Sequence, residues 1–149
     1  MTKKELALSF KLVNISTDEF AILEDSYTEG ENVQMTTNIT FGHDIEHRGL
    51  GAQLKFQFEQ NEKPFLVITA TCGFQLDEEA WESLLDEEGK KLVLPEGFAS
   101  HLAVITVGTI RGILHEKTTN TPFNQFMIPP INLTQMIHGD VEMEFGSGN

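Results

Sequence analysis

From Val33 to Phe41 the chain alternates without a break: Val33, Met35, Thr37, Ile39 and Phe41 stand between Gln34, Thr36, Asn38 and Thr40. Residues two apart share one face of a strand, so this order builds a strand with one dry and one wet side; a helix would scatter the same residues around its cylinder. The pattern recurs, with Ala52, Leu54, Phe56 and Phe58 set against Gln53, Lys55, Gln57 and Glu59. From Leu6 to Leu12 the large apolar residues again fall on alternate positions. A fourth strand is predicted from Phe65 to Phe74, rich in β-branched residues and apolar on both faces. The short connection Gln60–Pro64 makes the strands at 52 and 65 an antiparallel hairpin, with Pro64 suited to a strand's start rather than its middle. Asp18 to Glu31 and Gly42 to Gly51 read as polar connections.

The second half changes period. Leu76 to Leu85 suits a short helix, capped by Asp77, with Trp81, Leu84 and Leu85 on one side. Pro95-Glu96-Gly97 introduces the longest periodic segment, Phe98 to Lys117, in which Phe98, Leu102, Ile105, Thr109 and Ile113 follow helical spacing. Its Ile and Val content is also compatible with a buried strand followed by a turn. Gly108 and Gly112 each cost about 1 kcal/mol against Ala in an exposed helix interior. Their expected compensation is close packing on the sheet or on a partner subunit. Thr118 to Pro122 breaks the helix, Phe123 to Ile128 is expected to be extended up to Pro129-Pro130, and a short helix is expected from Leu133 to His138. Residues 1–149 form one domain, with 1–5 and 146–149 expected to fray.

Charge and composition exclude several function classes. Acids outnumber bases 23 to 10, a formal −13. A field of that sign repels phosphate backbones, so nucleic acid is an unsuitable partner and basic partners are favoured. Leu6 to Val13 is no signal-peptide core, and no run approaches about 18 uninterrupted apolar residues. A cytoplasmic protein without membrane insertion is expected. A single cysteine, Cys72, precludes an internal disulfide and Cys-based structural zinc. Within an apolar strand it acts as a small hydrophobe.

No glycine-rich phosphate loop or nucleophile elbow is present, and an enzyme is not expected. His43 and His47 have the spacing of zinc ligands on a helix, but Gly42 and Gly49 flank them and a solvated loop is the expectation, with no metal and no cofactor. The acids Asp77, Glu78, Glu79 and Glu82 favour a helix start electrostatically. What remains is apolar surface. Eleven phenylalanines stand against one tyrosine, and Phe packs without asking for a polar partner. Phe123 and Phe126, with Met127 and Met136 around the double proline, are the candidates for a surface that accepts varied apolar sequences, as flexible Met- and Phe-rich surfaces do.

The stretch Arg111-Gly112-Ile113-Leu114 through Thr121-Pro122-Phe123-Asn124-Gln125-Phe126-Met127-Ile128-Pro129-Pro130-Ile131-Asn132-Leu133 resembles the end of the SecB-type protein-export chaperones. In that family a helix carrying an Arg is followed by a crossover segment and a Pro-Val-Asn-Phe-like turn, which Pro130-Ile131-Asn132-Leu133 matches in kind. The resemblance implies an α+β fold: a four-stranded antiparallel sheet with a long helix and shorter helices on one face, assembled as a dimer of dimers. It also implies an ATP-independent chaperone that binds unfolded preproteins in apolar grooves and passes them to SecA. The acidic docking positions of the family match loosely at Asp18, Glu19 and Glu62, while Glu59 stands where an apolar residue is usual. Some SecB-like chaperones serve toxin–antitoxin systems instead. A different reading makes the chain an oligomeric scaffold whose Phe and Met residues are all core or subunit interface.

Overall fold

A computed structural model describes residues 8–145; the ends expected to fray lie outside that range. Four strands, β1 (Phe10–Ile22), β2 (Gln34–Asp44), β3 (Gly49–Gln60) and β4 (Lys63–Leu76), form an antiparallel sheet in the order β1-β4-β3-β2. The fold class is α+β, with a short helix, α1 (Glu78–Ser83), and a long one, α2 (Glu96–Lys117). β2 keeps the alternation of its sequence, with Met35, Thr37, Ile39, Phe41 and His43 half-buried and their neighbours exposed.

β1 departs from expectation. It starts at Phe10, later than the alternation suggests, and runs through Asp18 and Glu19, where a loop was expected. Its pairing with β4 slips between Leu12 and Asn14 and again between Thr17 and Glu19. Cross-strand partners share a face, so the residues on the side of α2 are Phe10, Leu12, Ile15, Thr17, Phe20 and Ile22, opposite Leu76, Phe74, Cys72, Ala70, Ile68 and Leu66. Each bulge adds one residue to the repeat. Strict alternation is lost, and with it the sequence signal.

The β3–β4 turn consists of Asn61 and Glu62, at φ 53° and 66°, as a two-residue hairpin turn requires. Pro64 sits beside it, at the strand's start and against the one register shift of that pair.

α2 lies across β3 and β4. Leu50, Ala52, Leu54, Phe56, Ile68, Ala70, Cys72 and Phe74 are buried on the sheet side, and Ala99, Leu102, Ala103, Thr106, Val107, Ile110 and Leu114 on the helix side. By length and composition alone α2 is apolar enough to cross a membrane, although no uninterrupted apolar run signals it; here that apolar content serves a face packed on the sheet. Gly108 and Gly112 do not pack against the sheet: a Cβ at either would meet nothing within 4 Å. The expected close approach to the sheet is therefore absent.

Asp77 caps α1 by accepting from the Ala80 N–H at 2.8 Å. Asp140 accepts from the Glu96 N–H at 3.0 Å, at the start of α2. Two short strands, β5 (Lys91–Leu94) and β6 (Val141–Glu144), pair antiparallel. The segment after α2 is not uniformly extended. Pro122–Gln125 is a 3-10 turn opened by Thr121, whose hydroxyl accepts from Phe123 N–H, and only Phe126 turns to extended backbone. Leu133–Gln135 is a single 3-10 turn instead of the expected helix to His138.

Candidate functional site: an aromatic cluster and an acidic sheet face

Two of the candidate residues meet in one cluster of five rings. Phe65 is the hub, with ring centroids 4.8 Å from Tyr27, 5.1 Å from Phe126, 6.0 Å from Phe123 and 6.5 Å from Phe58. Tyr27 also meets Phe123 edge-on at 5.3 Å and Phe126 at 5.7 Å. The geometries are tilted or edge-to-face, the arrangements that aromatic quadrupoles favour.

The cluster grades from core to surface. Phe123 is 5% exposed and belongs to the core, not to a free surface. Phe126 and Tyr27 are half-buried. Met127 is 52% exposed and Leu23 43%, and the Leu23 N–H donates to Phe65 O at 2.8 Å. Met136 does not join: it packs against the other half of the core, with Leu133 and Ile137. Apart from the Tyr27 hydroxyl, no ring in the cluster makes a fixed polar demand on what packs beside it.

Tyr27 and Gln60 are the participants that sequence reasoning missed. Tyr27 lies in a segment read only as acidic loop. Gln60 holds that loop in place: its amide donates to Thr28 O at 2.8 Å and Glu31 O at 3.3 Å, and its carbonyl accepts from Thr28 N–H at 2.8 Å. A lone tyrosine among polar residues was the available signal.

A second apolar area lies on β1. Leu12 and Ile15 face the side of α2, yet are 43% and 48% exposed, and Val13 in the first bulge is 53% exposed. α2 covers β3 and β4 and meets β1 only towards its ends, where Phe10 stands edge-on to Phe98 and His101 at 5.4 and 5.8 Å and Lys117 Nζ lies 5.5 Å above the Phe20 ring, so the stretch from Leu12 to Ile15 is left open.

Of the three acidic candidates, Asp18 and Glu19 stand together on the open face of the sheet. Asp18, in the second bulge of β1, accepts from Ser16 Oγ at 2.8 Å, Thr71 Oγ1 at 2.5 Å and Gln53 Nε2 at 3.1 Å. Partial burial opposes its charge, but these hydrogen bonds outweigh that and hold its carboxyl below the usual range. Glu19 accepts from Thr69 Oγ1 at 2.8 Å and lies 3.5 Å from Lys55 Nζ. Glu62 is elsewhere. It sits in the β3–β4 turn, seven residues from Thr69, the cross-strand partner of Glu19, or about 23 Å along the strand. Glu59 is nearly buried and accepts from Gln57 Nε2 at 3.0 Å and Thr36 Oγ1 at 3.4 Å, which accounts for a charged residue at an apolar-looking position.

The histidine pair is not brought together as a zinc site. His43 lies opposite Leu50, and its ring tilts on Phe145 at 5.1 Å. His47 is in an exposed turn, its Nδ1 2.8 Å from Asp44 Oδ2. Asp44, Glu46 and His47 bring ligand atoms within 4.8 Å of one another, all of them exposed. Cys72 is 1% exposed, a core residue.

No protein-family model matches the chain, and no curated protein matches it. Among solved structures it is similar to the Mycobacterium tuberculosis SecB-like chaperone Rv1957, in complex with a ChAD peptide from the Rv1956 HigA1 antitoxin. That likeness has a TM-score of 0.46 and 7% identity, and covers 83% of this chain and 91% of that one.

Proposed function

We propose that this chain is an ATP-independent chaperone of SecB-like kind, an oligomeric cytoplasmic binding protein with no reaction of its own. The observation that carries the reading is the partly exposed aromatic cluster. Phe126 and Tyr27 are its half-buried members, and Met127, next to Phe126 in the chain, and Leu23, bonded to Phe65 O, are exposed. Rings and a thioether adapt to many apolar side chains, which suits a client defined only by being unfolded. The bare apolar edge at Leu12, Val13 and Ile15 supports the second half of the reading, assembly from several copies, because edges of this kind seldom stay free.

In this reading a basic segment of a partner, SecA on the resemblance to the export chaperones, docks beside Asp18 and Glu19. The charge of Asp18 is already stabilised there by three hydrogen bonds. Glu62 lies too far away to share that surface.

Two measurements test the reading. The purified protein is expected to suppress aggregation of a chemically unfolded client without nucleotide; no suppression at a several-fold molar excess overturns it. Light scattering is expected to give a dimer-of-dimers mass, four times 16.7 kDa, and a strict monomer at micromolar concentration contradicts the assembly. The open space at Gly112 sharpens the second test. Gly112→Leu fits the isolated chain, where nothing lies within 4 Å, so it is expected to keep the fold and break an assembly that packs on this face.

A further inference from the structure

After the aromatic cluster, the chain passes along α2 from Met127 to Ile131 without secondary structure. Among the described residues, no main-chain hydrogen bond ties this strap to any other element. Pro129 and Pro130 have no N–H to offer. A single side chain supplies the polar tether. Arg111 of α2 donates from Nε to Ile128 O at 2.6 Å and from Nη2 to Pro129 O at 2.9 Å. Two neighbouring carbonyls thus sit on one planar guanidinium, a fork that an ammonium group cannot reproduce.

Packing holds the strap on either side of its prolines. Ile128 is buried against the core half that contains the aromatic cluster, and Ile131 is partly buried against both halves. Between them Pro129 and Pro130 are exposed, and an open cleft of about 300 Å3 lies between α2 and the strap, lined by Val104, Val107, Arg111, Pro130, Ile131 and Leu133. The exposed prolines are therefore held to α2 by the Arg111 fork and not by burial of their own.

We propose that Arg111 is a latch: it positions the strap so that Phe126 lies against Phe65 and the rings around it, and its release uncovers those rings. The acceptors it holds are ordinary peptide carbonyls, the group that every unfolded polypeptide carries. An incoming client can therefore take the place of the strap on the guanidinium with the number of hydrogen bonds conserved, so the exchange costs little. The role in client entry rests on the chaperone reading; the latch itself does not.

The experiment uses the full chain and the variants Arg111→Gln and Arg111→Lys. Limited chymotrypsin digestion is read first, without client, with cleavage after Phe126 and Met127 located by mass. Arg111→Gln is expected to speed cleavage there by about tenfold or more while cleavage after Phe56 and Phe74 in the sheet is unchanged. Arg111→Lys, a single-point donor, is expected to fall between the two. Unchanged cleavage in the strap overturns the latch, and so does an equal rise throughout the molecule. If Arg111→Gln does not fold, Arg111→Lys decides by the same criterion. Association of a fluorescent, reduced and carboxymethylated polypeptide is read second. The variants are expected to bind it several-fold faster, and an unchanged or slower rate with a loosened strap overturns the gating role. A wild-type protein that never binds this polypeptide overturns the chaperone reading instead, with the latch still decided by proteolysis.

Discussion

The ring of Phe126 lies edge-on to that of Phe65, centroids 5.1 Å apart at 63°. A residue from the irregular segment after the long helix thus rests on a ring anchored in the central strand β4. That contact joins the mobile-looking part of the sequence to its most deeply buried part. It also explains why residues adjacent in sequence should respond differently to truncation.

Phe123→Ala is expected to cost about 3–5 kcal/mol, the usual loss for a buried aromatic side chain, because Phe123 is 5% exposed. Met127→Ala, at an exposed site, is expected to change stability by about 0.5 kcal/mol or less. Client affinity should order the other way, with Met127→Ala weakening binding at nearly unchanged Tm. Thermal melts and fluorescence titrations on the same samples check this, and equal losses of Tm at both positions would contradict the gradation from core to surface.

Glu62→Gly should stabilise the hairpin. Glu62 sits at φ 66°, a left-handed conformation that costs a side-chain-bearing L-residue roughly 1–2 kcal/mol. Part of that gain is lost to the greater freedom of glycine in the unfolded chain, about 0.4–1 kcal/mol. A net rise of about 0.5–1 kcal/mol is expected by denaturant unfolding. Binding of a basic peptide to the face of Asp18 and Glu19 should not change, because the turn is far from both.

The Asp44–His47 pair should be visible in a titration. The hydrogen bond to Asp44 raises His47 above its ordinary value of 6.5, and the same bond lowers Asp44 below 3.8. The raised histidine adds stability that is complete below its unfolded pKa and lost as pH rises through its folded one. The lowered carboxyl adds stability present above 3.8 and lost as pH falls through its folded value. The pair therefore acts in the mildly acidic window between them. NMR should place the His47 midpoint above 6.5, and Asp44→Asn should return it towards that value; a midpoint insensitive to Asp44→Asn contradicts the pairing.

Strand alternation decided much of this molecule in advance. Period two across Val33–Phe41 and Ala52–Glu59 needs only near neighbours on one strand, so the wet and dry faces of β2 and β3 and the β3–β4 hairpin were legible. So were the Asp77 cap and the long helix, whose signals are equally local. Other features have no local signature. The bulges at Val13 and Asp18 hid β1 beyond Leu12, because its register answers to β4, more than fifty residues away in places. β5 and β6 are four residues each and are strands only because they find one another. Phe123, Phe126, Met127 and Met136 were grouped by composition, but burial separated them into a core ring, a half-open ring, an exposed rim residue and a member of the opposite core half. Phe packs on any apolar neighbour, so its sequence says that it will be covered and not by what. Which rings meet Phe65, and which carbonyls Arg111 holds, follow from how the chain crosses α2, and that depends on the free energy of packing the whole core at once.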